Sequence, residues 1–186
     1  KLHLINGSGN DSTTNIVENQ QAYADKKLND LITADVTAKV NELKGDKNYV
    51  PGATKVNNST PLTGDATLTA NGTTIDLYYY LDVIGGKDEK GNLFDEGDKI
   101  PDCYQVTIIY KSSDESRGKI SDASPKKEVL TITDKDGNRL SSGKVEITGA
   151  SAEVTGSSCY FSNWTNKDNA RVDTKATLEA RTIDAK

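Results

Sequence analysis

The sequence predicts an α+β fold: one long N-terminal helix packed on an antiparallel β-sheet, with further hairpins towards the C-terminus. Three observations predict it. Residues 15–44 contain neither Gly nor Pro. Ile75, Leu77, Tyr79, Leu81 and Val83 alternate with Thr74, Asp76, Tyr78, Tyr80 and Asp82, the period of a strand with one apolar and one mixed face. Beyond Gly45, short apolar runs are punctuated by Gly, Pro, Asn and Asp, as in strands joined by turns. Residues 1–186 read as a single domain: an arm and linker over 1–14, the helix over 15–44 and a β-rich region over 45–186.

Asn15 and Glu18 have capping-box spacing, and Gly45 follows Lys44 where a terminal glycine belongs. Val17, Ala24, Leu28, Ile32, Val36 and Val40 recur mostly at intervals of four, which advances the apolar stripe about 40° per step around the axis. The stripe therefore drifts. Either one helix is wrapped diagonally by the sheet, or the helix breaks near Thr33, Ala34 and Asp35, with Thr33 capping a second segment.

The first five residues suit a short strand, and residues 6–14, rich in Gly and capping residues, read as a linker. Residues 45–63, with Pro51 and Pro61, read as an irregular connection. Residues 66–70, Asn71-Gly72 and residues 73–84 carry a hairpin signal, because Asn-Gly takes the positive φ angles of a tight turn. The apolar face of its second strand should meet the helix. Tyr104, Val106, Ile108 and Tyr110 mark a second central strand, residues 112–124 a polar loop, and residues 128–133 and 144–148 a further hairpin. Short strands are expected at 152–155 and across 171–181.

The 186 residues carry a net charge of −5, 34% hydrophobic residues and a mean hydropathy of −0.64, the composition of a polar but foldable chain. Charges of both signs are mixed and form no basic face, which disfavours nucleic acid as a partner. No apolar run reaches the length of a membrane span. Membrane contact is expected only through a segment absent from these residues.

Catalysis by Ser or Cys with His is disfavoured, since His3, the sole histidine, lies in a terminus expected to fray and no Gly-x-Ser-x-Gly occurs. No phosphate-binding glycine motif is present, and no pair of carboxylates is singled out for glycoside hydrolysis. Cys103 and Cys159 are the only cysteines; a single disulfide between them is expected, with two buried thiols as the other reading. A bridge would indicate an extracellular or cell-surface location. Asn6, Asn10, Asn57, Asn58, Asn71 and Asn163 each begin an Asn-x-Ser/Thr sequon, the pattern of a glycosylated surface protein or simply of Asn-rich turns.

Asp88, Glu89, Asp95, Glu96 and Asp98 are candidates for calcium, which accepts six to eight oxygens from a flexible loop, although a solvated turn is the simpler reading. No other cofactor is implied. Tyr160, Phe161 and Trp164 form either an exposed platform for sugar or protein contact or a plug of core beside Cys159. Tyr78 and Tyr80, on the mixed face of their strand, are the other exposed aromatic candidates.

The long helix from Asn15, the polar connection, the hairpins and the two late cysteines together resemble the soluble head of a type IV pilin or minor pilin. Asn19-Gln-Gln-Ala-Tyr23 is weakly similar to the segment following the membrane stretch of such proteins. The resemblance implies a structural subunit for filament assembly or adhesion, whose partners are other surface or pilus subunits or further copies of itself. Leu130-Thr-Ile-Thr-Asp-Lys-Asp-Gly-Asn-Arg-Leu140 with Gly143-Lys-Val-Glu-Ile-Thr148 resembles a hairpin of Ig-like modules in bacterial surface proteins, which implies instead a secreted binding or spacer module.

Overall fold

A computed structural model describes residues 1–17, 26–67, 74–87, 93–124, 127–133, 144–146, 149–165, 171–172 and 177–179. The chain divides into two compact units, one built from residues 1–86 and 95–103, the other from 87–94 and 104–186.

The first unit contains β1 (Leu2–Ile5), β2 (Asp11–Thr14), α1 (Leu28–Leu31), α2 (Ala34–Lys44), β3 (Tyr49–Pro51), β4 (Thr54–Val56), β5 (Thr60–Leu62) and β6 (Ile75–Leu81). These strands form one mixed sheet in the order β2-β1-β6-β4-β5, with β3 also paired to β6. β1 runs parallel to β6, placing Leu2 opposite Leu77 and Leu4 opposite Tyr79; the other pairs are antiparallel. Strand alternation then sends Leu2, Leu4, Ile75, Leu77 and Tyr79 to one face. There they pack with Val36 and Val40 of α2, as the apolar face of β6 led one to expect.

The long helix is not formed, and the α+β expectation built on it is corrected to a β-rich chain whose described residues include two short α-helices of 4 and 11 residues. Residues 18–25 lie outside the described set. Lys27, within the expected helix, is extended and bridged to Thr67, and Asn15 follows β2 rather than capping a helix. Of the two readings at Thr33, the break is the one observed: Thr33 is extended and its hydroxyl accepts the Val36 N–H at 3.4 Å. The drift of the stripe explains this. Restarting the helix at Thr33 lets Val36 and Val40 meet the sheet, whereas a continuous helix would carry its apolar side away from them. Gly45, at φ +59°, closes α2 with its N–H on Asn41 and Glu42 carbonyls.

Three further expectations change. Residues 6–14 are a hairpin rather than a linker: the Asn6 carboxamide oxygen accepts the Ser8 and Asn10 N–H groups and turns β1 back into β2. β6 does not pair with residues 66–67, because β1 takes one of its edges and β3 and β4 take the other. Residues 68–73, including Asn71-Gly72, lie outside the described set. The supposedly irregular connection after α2 contributes β3, β4 and β5, with Asn57 and Asn58 in left-handed conformation (φ 47° and 57°) turning β4 into β5.

β7 (Gly85–Lys87) pairs with β8 (Leu93–Gly97) where the residue ranges of the two units interleave. The second unit holds β9 (Gln105–Ile109), β10 (Gly118–Ile120), β11 (Lys127–Thr131), β12 (Lys144–Glu146), β13 (Ala152–Val154), β14 (Trp164–Thr165), β15 (Arg171–Val172) and β16 (Thr177–Glu179). Four antiparallel pairs result: β9 with β11, β10 with β13, β12 with β16 and β14 with β15. Val106 and Ile132 are its buried centre, with Ile108 and Leu130 against them. The polar 112–124 segment thus contains a strand, residues 127–131 pair with β9 and residues 144–146 with β16, while 134–143 and 147–148 lie outside the described set.

Candidate functional site

The polar face of the first unit's sheet gathers a cluster around His3. Register sets Thr13 and Tyr78 directly across from His3, and alternation brings Asp11 and Asp76 to the same face. His3 is buried, with Nδ1 2.7 Å from Asp11 Oδ2 and Nε2 3.2 Å from Asp76 Oδ1. The Thr13 hydroxyl also lies 3.1 Å from Nδ1. Tyr78 stacks on the imidazole at 4.3 Å and 15°, while the Lys55 ammonium sits 4.8 Å above the Tyr78 ring. Its hydroxyl donates to Asn58 Oδ1, and Asn58 N–H donates to Asp76 Oδ2 at 2.7 Å. Burial, followed by the Asp76 and Asp11 charges, pushes the Tyr78 hydroxyl above the ordinary tyrosine range.

A cleft of about 360 Å³ opens beside this cluster, lined by Lys1, His3, Thr13, Asn57, Asn58, Thr74 and Asp76. Each ring nitrogen of His3 already faces a carboxylate, so neither is placed to abstract a proton from a substrate or to ligate a metal. The cluster's chemistry is that of a lock. It fastens β1 and β2 to β6 through polar contacts on the face opposite α2.

Two further buried carboxylates serve the first unit in a similar way. Asp82 accepts the Asp98 and Lys99 N–H groups, each at 3.0 Å, and the Asn48 side-chain amide at 3.3 Å. Asp102 Oδ1 accepts the Val83 and Ile84 N–H groups at 2.9 and 3.1 Å. Burial raises the Asp102 carboxyl above its ordinary range, with Asp82 and Asp98 adding to the rise and the two backbone donors opposing it.

The second unit presents a different arrangement. Tyr160 is 85% exposed and Phe161 46% exposed. Neither plugs the core. Trp164 is half-buried, tilted against Phe161 at 5.3 Å and edge-on to buried Tyr110 at 5.7 Å. The Tyr110 hydroxyl donates to Glu128 Oε1, and that carboxylate also receives the Gly149 N–H at 3.4 Å. Burial and the bond to Glu128 push the Tyr110 hydroxyl well above the ordinary tyrosine range, so it remains a donor. A chain of contacts therefore runs from a buried carboxylate through Tyr110 and Trp164 to the Phe161 ring, next to which in sequence stands exposed Tyr160. Residues 154–166, which flank those rings in sequence, carry no charge.

The remaining sequence candidates fall as follows. Tyr78 is buried in the His3 cluster and Tyr80 is half-buried beside Gly52, whose Cα has no room for a side chain against the Tyr80 ring; neither is an exposed platform. Cys103 is buried in the first unit and Cys159 half-buried in the second, and the disulfide expected between them is not formed. Asp88 and Glu89 lie outside the described residues, Asp95 and Glu96 belong to β8, and Asp98 Oδ1 accepts the Ile100 N–H. Among the described residues, no group of three or more His, Cys, Asp or Glu is arranged to hold a metal ion.

Of the sequons, Asn6 spends its carboxamide oxygen inside its own turn, Asn57 on the Thr74 N–H and Asn58 on the Tyr78 hydroxyl, and Asn163 donates to the Trp164 carbonyl. Asn10 is exposed, and Asn71 lies outside the described residues. Among the described residues, no helix is long and apolar enough to cross a membrane.

Sequence reasoning missed His3, Asp11, Asp76 and the Tyr110–Glu128 pair. The available signal was a polar residue inside an apolar strand: His3 between Leu2 and Leu4, and Asp76 between Ile75 and Leu77. Compared with known proteins, the chain matches no family model, no curated protein and no solved structure.

Proposed function

We propose that this chain is a non-enzymatic structural protein of the cell surface that works by contact, in assembly or adhesion, through the aromatic loop of its second unit. The observation that carries the reading is the exposure of Tyr160 and Phe161 on a loop held by Trp164, Tyr110 and Glu128. Large aromatic rings facing water lose favourable burial unless a partner covers them, and such rings dominate the energetics of protein contacts. An uncharged surround lowers the desolvation cost of that contact. The absence of the long helix removes the part of the pilin architecture that would have formed a filament stem, so contact is assigned to the second unit.

The test is antibody labelling of intact and permeabilised cells of the source organism, together with the double substitution Tyr160→Ser and Phe161→Ser. Labelling of intact cells is expected, with loss of attachment or assembly in the variant at unchanged thermal stability. Labelling confined to permeabilised cells would discard the surface assignment.

A further inference from the structure

Buried His3 stands between carboxylates on two different strands, Asp11 of β2 at 2.7 Å from Nδ1 and Asp76 of β6 at 3.2 Å from Nε2. A carboxylate only accepts, so two carboxylates facing two ring nitrogens call for two N–H donors. A neutral imidazole has one and turns a lone pair on the other carboxylate. The face of the Tyr78 ring, 4.3 Å away and within 15° of parallel, also favours a cation there. Around the ring, the Lys55 ammonium of β4 lies 4.8 Å from the centre of Tyr78, and the terminal ammonium of Lys1 lines the same cleft and donates to the Ile75 carbonyl at 2.7 Å. Those two cations oppose a charge on His3, but it is the carboxylates that touch it. Thr13, Asn58 and the Tyr78 hydroxyl are its neutral polar surroundings.

The two carboxylates differ in their access to water. Asp76 is 2% exposed and also accepts the Asn58 N–H at 2.7 Å, whereas the Asp11 side chain is 39% exposed on the edge strand. When the ring gives up a proton, Nε2–H therefore stays with Asp76, which has no water to turn to, and Nδ1 is bared. Thr13 Oγ1, 3.1 Å from Nδ1 and 3.3 Å from Asp11 Oδ1, can then turn its hydroxyl from the carboxylate to the nitrogen. Asp11 is left facing a lone pair and moves out to water.

We propose that His3 is a proton-operated clasp: as imidazolium it fastens β2 to the sheet through Asp11, and on deprotonation it keeps its hold on Asp76 and releases β2. The closed form holds one proton more than the open one. It is therefore favoured at lower pH and lost as pH rises across the interval in which imidazole titrates, about pH 5–8. The ring and both its partners lie within the first unit, so the clasp stands independently of the contact assigned to the second.

NMR on ¹⁵N-labelled protein from about pH 5.5 to about pH 8.5, where carboxylates ordinarily stay ionised, reads the ring and the strand together. At the acid end both His3 nitrogens are expected to be protonated, and towards the alkaline end Nδ1 alone loses its proton. Exchange of the β2 amides with water, corrected for its intrinsic rise with pH, is expected to accelerate at least about tenfold relative to that of α2 as the charge-assisted hydrogen bond is lost. Asp11→Asn, at an exposed edge position, can offer an N–H to bare Nδ1 and is expected to abolish the acceleration; a response driven by the Lys1 terminus would persist in it. His3→Gln, which can donate to Asp76 and gives nothing to Asp11, is expected to exchange its β2 amides rapidly at every pH.

Circular dichroism melts confirm that the variants fold, and should His3→Gln not fold, wild type and Asp11→Asn still decide. Nδ1 bare at the acid end overturns the proposal. So does loss of the Nε2 proton first, β2 exchange that merely follows the intrinsic rate, or an Asp11→Asn protein with the wild-type acceleration.

Discussion

His3 in the first unit and Tyr110 in the second each sit beside a buried carboxylate, Asp76 and Glu128, but they engage it differently. His3 bridges two carboxylates from two strands, Asp11 and Asp76, and its ring is covered by Tyr78. Tyr110 offers one neutral hydroxyl to one carboxylate, Glu128, and its ring continues the contact outward to Trp164. The first arrangement turns inward and joins strands. The second carries rigidity to the surface, where Tyr160 and Phe161 face solvent.

The largest test of that contrast is His3→Ala. Removing the imidazole takes a hydrogen-bonding partner from Asp76, 2% exposed, and leaves a cavity beneath the Tyr78 ring, which together cost about 3 kcal/mol. Denaturant melts should show the loss, while association through the second unit's loop should change only through unfolding. Retention of full stability would mean that the cluster locks nothing.

Tyr110→Phe should cost less, about 1–3 kcal/mol, because the Gly149 N–H still reaches the Glu128 carboxylate. Its sharper reading is positional: Trp164 emission should shift as its edge-on partner loosens, whereas Glu128→Gln alone, which keeps an acceptor for the Tyr110 hydroxyl, should leave most of the wild-type spectrum in place. An unchanged Trp164 spectrum in Tyr110→Phe would separate the buried pair from the loop.

Asp102→Asn should have the smallest effect and the opposite sign. The folded carboxyl titrates above its ordinary value of 3.8, so its contribution to stability is present below the unfolded pKa and lost as pH rises through the folded one. At pH 7 the ionised group is a net cost. Asparagine keeps an oxygen for the Val83 and Ile84 N–H groups, so Tm at pH 7 should rise by about 2 °C, with the advantage disappearing below about pH 4. A variant less stable than wild type at pH 7 would show that these donors require a charge.

Elements specified by nearby residues were legible in the sequence. The alternation of β6, the cap at Thr33 and the glycine closing α2 each depend on a few adjacent side chains, and all three are found. The helix over 15–44 misled because absence of Gly and Pro permits a helix without requiring one; the drifting stripe already pointed to a change of direction. His3 was dismissed because a terminal strand frays only when nothing covers it, and its cover, Tyr78 and Asp76, stands more than seventy residues away in a parallel register that no local pattern encodes. At the aromatic loop the residues were visible, but their exposure depends on Tyr110 taking Trp164 inward and leaving Tyr160 and Phe161 outside.

The parallel pairing of β1 with β6 sets an order on folding. β1 leaves the ribosome well before β6, yet Leu2 stands opposite Leu77. With β2 alone it forms a hairpin of two four-residue strands, too small to persist in water. At about 5–20 residues per second, the partner strand follows several seconds later. Throughout that interval Leu2 and Leu4 have no lasting cover. Closing the sheet is a long-range step and a slow one, and a nascent chain halted before Ile75 exposes a ready substrate for chaperones that bind short apolar strands.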